Sequence, residues 1–132
     1  MGVLSALAIP RITLQANWQL EVISRRMAAD LRLVRQSAIF YGEPCRIDFY
    51  IHMNRYTLKL PDETQQVDLP EGVSFDGNTT FPGKPPTIQF NSLGRPSSGG
   101  TVILKAGKTY RYIIVTPVTG RVRISRIPPQ HW

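Results

Sequence analysis

One cysteine, two histidines and a C-terminal stretch without a single acidic residue are what this chain has least to offer. Cys45 is alone, so no intramolecular disulfide can form, cysteine usage says nothing of the redox compartment, and stability must come from packing. His52 falls in a turn and His131 next to the C-terminus. A set made of Cys45, His52 and His131 lacks the short paired spacing of zinc sites, so neither a metal nor a cofactor is expected. Cys45 reads as a small buried residue that opens a strand. Phosphate-cradling glycine motifs, nucleophile elbows and CxxC pairs are missing too. Asp62, Glu63, Asp68, Glu71 and Asp76 crowd the middle of the chain, but no histidine or apolar frame accompanies them, and they read as solvated loop charges. No catalytic residues are therefore expected. Nor is there a long apolar run. Val3 to Pro10 is far below the roughly 20 residues that span a bilayer. It has neither the basic flank nor the cleavage site of a secretory signal, and reads as the end of something longer.

The 132 residues fit one domain with a modest core, and 42% hydrophobic with 19% charged residues is the balance of a folded protein, rich in turns from its 11 Pro and 10 Gly. Charge is unevenly placed. Residues 1–76 hold eight basic and nine acidic groups, whereas residues 77–132 hold eight basic groups and no acidic one. A region of that kind attracts a polyanion such as nucleic acid, anionic lipid or an acidic partner, or it serves as a solubilising surface.

Between Gln15 and Tyr41 the residues Leu20, Ile23, Met27, Leu31, Val34 and Ala38 recur three or four apart, which predicts one stripe of an amphipathic helix. Glu21, Arg25, Arg26, Asp30, Arg32 and Arg35 occupy the other surface, with Glu21–Arg25 and Arg26–Asp30 able to pair at i, i+4. Gly42 is suited to cap the helix and Pro44 to stop it. Pro10 kinks the helix if the helix continues upstream of it. Arg11 to Tyr41 alone would extend roughly 45 Å, more than a small domain needs for its own core, so part should protrude.

After Gly42 the period changes to two. Strands are predicted at Arg46–Ile51, Tyr56–Leu60, Thr87–Phe90, Thr101–Lys105, Tyr110–Thr116 and Arg121–Arg126, with Val67–Leu69 and Val73–Phe75 as possible short ones. Turn signals at His52–Asn54, Ala106–Lys108 and Pro117–Gly120 join neighbours into hairpins, giving a mostly antiparallel meander packed on the helix stripe. Within Gly120-Arg121-Val122-Arg123, alternation turns Arg121 and Arg123 to one side and Val122 to the core. The two guanidiniums suit successive phosphates, with Arg126, Lys105, Lys108 and Arg111 as candidate helpers, or they protect an edge strand from pairing. Tyr110, Tyr112 and Trp132 could stack on bases or simply pack on the sheet.

Taken in order, these elements resemble the GspH/FimT group of pilin-like proteins, which includes the type II secretion pseudopilin H and FimT-like minor pilins of type IV pili. The resemblance spans nearly the whole chain. Gly2 to Pro10 looks like the second half of the pilin hydrophobic helix, Leu31 to Ile39 like the end of that helix. Tyr56-Thr57-Leu58, Ile88-Gln89-Phe90-Asn91 with Gly94, and Thr119 to Ile124 look like its β domain. The resemblance implies an α+β pilin-like fold, with residues 1–41 as the N-terminal helix and residues 42–132 as the β domain. It implies a non-enzymatic subunit whose precursor sits in the inner membrane and whose mature form joins other pilins in a periplasmic or cell-surface filament, with Val3, Leu4, Leu7, Ile9 and Pro10 packing in the filament. FimT-like pilins bind DNA in natural transformation through a C-terminal GRxR motif, which Gly120-Arg121-Val122-Arg123 matches. DNA is thus the alternative partner. The family's prepilin peptidase site is not found around Met1-Gly2, and is expected upstream.

Overall fold

The computed structural model describes residues 2–77 and 79–128, with side chains of the N-terminal helix described from residue 17 onward. That helix, α1, spans Gly2–Tyr41 and would measure roughly 60 Å at 1.5 Å per residue. It runs through Pro10 and ends at Gly42, whose φ of +66° supplies the left-handed cap that the sequence suggested. Leu20, Ile23, Met27, Leu31, Val34 and Ala38 are all buried, as the periodicity predicts. Ser24 lies among them and is satisfied within the helix, its hydroxyl donating to the Leu20 carbonyl at 2.6 Å.

Eight strands follow among the described residues: β1 Cys45–Tyr50, β2 Arg55–Lys59, β3 Thr64–Asp68, β4 Ser74–Phe75, β5 Thr87–Phe90, β6 Gly100–Ala106, β7 Thr109–Val115 and β8 Val122–Ser125. They form two antiparallel four-stranded sheets, ordered β3-β2-β1-β5 and β4-β6-β7-β8. The single meander expected from the hairpins is thereby corrected. Each sheet has a three-strand meander, β1-β2-β3 or β6-β7-β8, to which a strand from elsewhere in the chain is added. Local turn chemistry fixes hairpins but not the long-range pairing of β5 with β1, in the register Cys45 to Phe90, or of β4 with β6.

Both sheets pack on α1 through one continuous core, in which Phe49, Tyr56, Phe90, Leu58, Leu104 and Ile113 are fully enclosed. Phe49 sits at its centre, with the rings of Tyr56, Phe75 and Phe81 about it at 6.2, 6.1 and 5.8 Å. Cys45 is buried as the first residue of β1, and burial pushes its thiol up from the usual range.

Apolar contacts do not by themselves fix how a helix is rotated, and four polar contacts do so here. Against the first sheet, the buried Tyr56 hydroxyl donates to Asp30 Oδ2 at 2.6 Å. Desolvation, and then that hydrogen bond, push the phenol far above its usual range, so it stays a donor. Against the second sheet, Arg111 Nε meets Glu21 Oε2 at 3.0 Å. Arg32 donates to the Val122 carbonyl of β8 at 3.1 Å, and Arg35 Nε donates at 3.0 Å to the Gly94 carbonyl, in the loop between β5 and β6. The helix-surface pairs Glu21–Arg25 and Arg26–Asp30 form at 3.3 and 3.6 Å.

Candidate functional site

With the core stripe turned inward, the opposite face of α1 is left in water, and an apolar line runs along it beside Arg25 and Gln36. Trp18 is 68% exposed, Val22 46%, Leu33 42% and Phe40 81%, and Ala29 lies exposed between them. At 100° per residue these five positions fall within an arc of about 60°, centred roughly 150° from the core stripe. The spacing of 4, 7, 4 and 7 is the narrow seam through which helices pack lengthwise on other helices. The sequence reading assigned this surface to charge alone and missed the seam, although the same counting that found the core stripe finds it. Val3, Leu4, Leu7, Ile9 and Pro10 belong to α1, but their side chains lie outside the described residues.

The basic C-terminal region makes a second candidate surface. Arg121 leads into β8 from the turn, and Arg123 is on the strand opposite Ile114 of β7. Both are exposed, while Val122 between them is buried, as alternation requires. Strand β8 is the edge of its sheet, but a partly covered edge: Arg32 of the helix takes the Val122 carbonyl. Gly120 has an architectural reason of its own. At φ +71° it is buried against the Gly94 turn, and a Cβ there would meet the Gly94 oxygen at 3.0 Å, the Phe90 ring at 3.2 Å and Arg35 Nε at 3.3 Å. Beside it Val118, an exposed β-branched residue, holds a φ of +70°, a strained conformation at the tip of the β7–β8 turn.

The candidate helpers separate. Lys108 and Arg126 are exposed, and Lys105 is half-buried on the strand facing Tyr110. Arg111 is not free for a phosphate, since its side chain is only 12% exposed and bound to Glu21. That hydrogen bond is the first cause holding the Glu21 carboxyl below its usual range, and the charges of Arg111, Arg25 and Arg126 add to it. Tyr110 and Tyr112 stack on each other at 6.5 Å. Of the metal candidates, Cys45 is enclosed and His52 exposed in a single helical turn after β1, while His131 and Trp132 lie outside the described residues. Among the described residues no cluster of three or more potential ligands occurs, and no helix is long and apolar enough to cross a membrane.

A long helix laid along a small antiparallel β domain, with an apolar seam left outward, defines a pilin-like subunit. The model of the family described as type II transport protein GspH matches residues 24–120, most of the chain. This protein belongs to that family of minor pseudopilins and pilins. Its fold is similar to that of the minor pseudopilin EpsH from the type 2 secretion system of Vibrio cholerae. There the TM-score is 0.67 at 16% identity over 82% of this chain and 97% of that one. It is similar also to the type IV minor pilin FimU of Pseudomonas aeruginosa, with a TM-score of 0.63 at 13% identity over 80% of this chain and 92% of that one. No curated protein sequence matches it. The family match ends at Gly120, so Arg121 and Arg123 stand outside it.

Proposed function

We propose that this chain is a structural, non-catalytic minor subunit of a type II secretion pseudopilus or a type IV pilus, packed among other pilins through the outer seam of α1. The observation that supports this most directly is the seam itself. An exposed apolar strip of large residues marks a surface that an interaction covers, and its position opposite the core places the helix between its own β domain and a neighbour. The proposed location is the inner membrane before assembly and a periplasmic or cell-surface filament after it. Leu33→Arg with Phe40→Arg tests the reading. Both residues are exposed, so the variant keeps its circular dichroism and melting behaviour. It should no longer cross-link to other subunits or co-fractionate with sheared filaments. Unchanged incorporation would refute it.

A second reading is that the subunit binds DNA without sequence preference through Arg121 and Arg123, with Arg126, Lys108 and Lys105 assisting. It is favoured by the exposure of both arginines and by the lack of any Asp or Glu in residues 77–132. Removing one arginine–phosphate pairing should flatten the slope of log K against log salt by roughly 0.7 to 0.9, so Arg121→Ala with Arg123→Ala should flatten it by about 1.4 to 1.8. An unchanged slope in a folded double variant rejects DNA as the partner.

A further inference from the structure

Between the last turns of α1 and the β7–β8 turn lies an open recess of about 510 Å³, into which Arg32, Arg35, Gln36, Thr119 and Arg121 all contribute. Its three arginines come from two distant parts of the chain. None of them takes part in the ion pairs formed among the described residues. Two are held in place by the protein's own backbone: Arg32 gives one terminal nitrogen to the Val122 carbonyl, and Arg35 gives Nε to the Gly94 carbonyl. A guanidinium has five N–H donors, so each retains most of its donors for a ligand while its orientation is already fixed. The cost of ordering them has thus been met during folding, which favours binding. The buried glycines 94 and 120 clear the space that Arg35 occupies. A Cβ on either would stand 3.2 or 3.3 Å from its Nε.

Three like charges gathered around one recess repel one another unless an anion joins them. We infer that the recess is a socket for the carboxylate of an Asp or Glu side chain on the neighbouring filament subunit. This rests on the filament reading above and adds to it the chemistry that sets the register of the contact. A carboxylate matches the planar fork of a guanidinium, and the recess, walled by α1 on one side and a turn on the other, brings guanidiniums from both walls to one ligand. The recess also adjoins the outer seam, because Gln36 lies seven residues after Ala29 and four before Phe40, on the same line of the helix. A subunit lying along Trp18, Val22, Leu33 and Phe40 brings its flanking groups to this point, as an apolar centre with a polar rim. A nucleic acid strand asks for cations in an open row and makes no use of that apolar seam. A second copy of this chain would itself offer such carboxylates, since Asp62, Glu63, Asp68 and Glu71 are all exposed.

The test is a titration of the full chain with acetyl-triglutamate amide, followed by nuclear magnetic resonance at the Arg35 Nε–Hε group and at the amides of Thr119, Gly120 and Arg121. Saturable shifts at these groups are expected, absent with acetyl-triglutamine amide. Removing a charge-assisted bond should weaken binding about tenfold or more in Arg121→Gln and Arg32→Gln. Arg35 is left intact as the reporter, and Arg121→Gln alone decides should Arg32→Gln fail to fold. Absent saturation, equal shifts at Lys84, Lys108 and Arg126, or unchanged binding in Arg121→Gln overturns the socket. A short DNA duplex that shifts Arg35 at lower concentration than the peptide overturns it in favour of phosphate. Filament incorporation, scored separately with the Leu33 and Phe40 variant, can fail or hold independently of peptide binding.

Discussion

The glycine at the head of Gly120-Arg121-Val122-Arg123 can be read as a feature of a binding loop or as a packing necessity, and substitution by alanine separates the two. Gly107, in the β6–β7 turn, provides the reference. Its φ is +61° and a Cβ there would meet nothing within 4 Å, so Gly107→Ala carries only the conformational cost. A left-handed alanine costs about 1–2 kcal/mol, offset by about 0.4–1 kcal/mol through the stiffer unfolded chain, which leaves about 1 kcal/mol or less. Gly120→Ala bears the same conformational cost at φ +71°, and in addition three contacts of 3.0, 3.2 and 3.3 Å to the Gly94 oxygen, the Phe90 ring and Arg35. Overpacking of a well-filled site costs about 1–3 kcal/mol, so the total should reach about 2–3 kcal/mol. Urea unfolding followed by far-ultraviolet circular dichroism measures both variants. With m about 1–3 kcal/mol/M, Gly120→Ala should lower the midpoint by roughly 1 M and Gly107→Ala by less than half of that. Equal losses for the two glycines would refute the packing argument and return Gly120 to a binding role.

Tyr56→Phe keeps the enclosed ring and removes the 2.6 Å bond to Asp30, a hydrogen bond to a charged acceptor, so a loss of about 1.5–3 kcal/mol is expected in the same unfolding assay. In an Asp30→Asn background the loss should shrink, and a loss under about 0.5 kcal/mol in the parent chain would show that the bond is not formed. Glu21 is held below its usual pKa of 4.5, foremost by the Arg111 hydrogen bond. A depressed carboxylate contributes stability that is present above its unfolded pKa and lost as pH falls through the folded one. With the carboxylate 28% exposed, Glu21→Gln should therefore cost under about 1 kcal/mol at pH 7, and the gap to the parent chain should close below pH 4.5. A gap that widens in acid would contradict the sign. Val118→Gly relieves a positive φ on an exposed β-branched residue and should raise stability by about 1 kcal/mol, read as a higher melting temperature. A lower one would mean that the turn is unstrained.

How far the sequence could be read depended on whether a feature was local. The core stripe of α1, its Gly42 cap and six of the strands follow from periods of 3.6 and 2 and from turn residues, all of which act within a few positions. Strand β3 is longer than Val67–Leu69 because Thr64, Gln65 and Gln66 also pair with β2, and at a sheet edge facing water a polar run needs no apolar alternation to do so. The division into two sheets depends on pairings between strands far apart, for which period and turn chemistry carry no information. Arg32 and Arg35 looked like any solvated helix charge, since their carbonyl partners lie 90 and 59 residues away. Gly94 and Gly120 read as ordinary turn glycines, and their positive φ agrees with that, but the approach of Arg35 to both is a contact that only the fold reveals.

The two apolar faces of α1 make its rotation a matter of choice rather than of simple amphipathicity, and the residue sizes decide it. The inward face alternates Leu20, Met27 and Leu31 with Ser24, Ala28, Ser37 and Ala38, small residues that let the sheets come close, and all of them are buried. Trp18 and Phe40 on the outward face are too large for such an approach. Turning the helix by half a revolution would force them against the strands and leave Asp30, Glu21, Arg32 and Arg35 without the partners they meet on the two sheets and the Gly94 loop. Packing and polar contacts therefore agree on one rotation, and that rotation leaves the apolar seam outward. A free domain gains nothing from this, because exposed tryptophan and phenylalanine favour association. Set with Val22, Ala29 and Leu33 along one line of a helix held rigid at four points, they are instead suited to a neighbour whose own surface runs parallel to that line, and the arginines beside the seam can then fix where along it the neighbour stops.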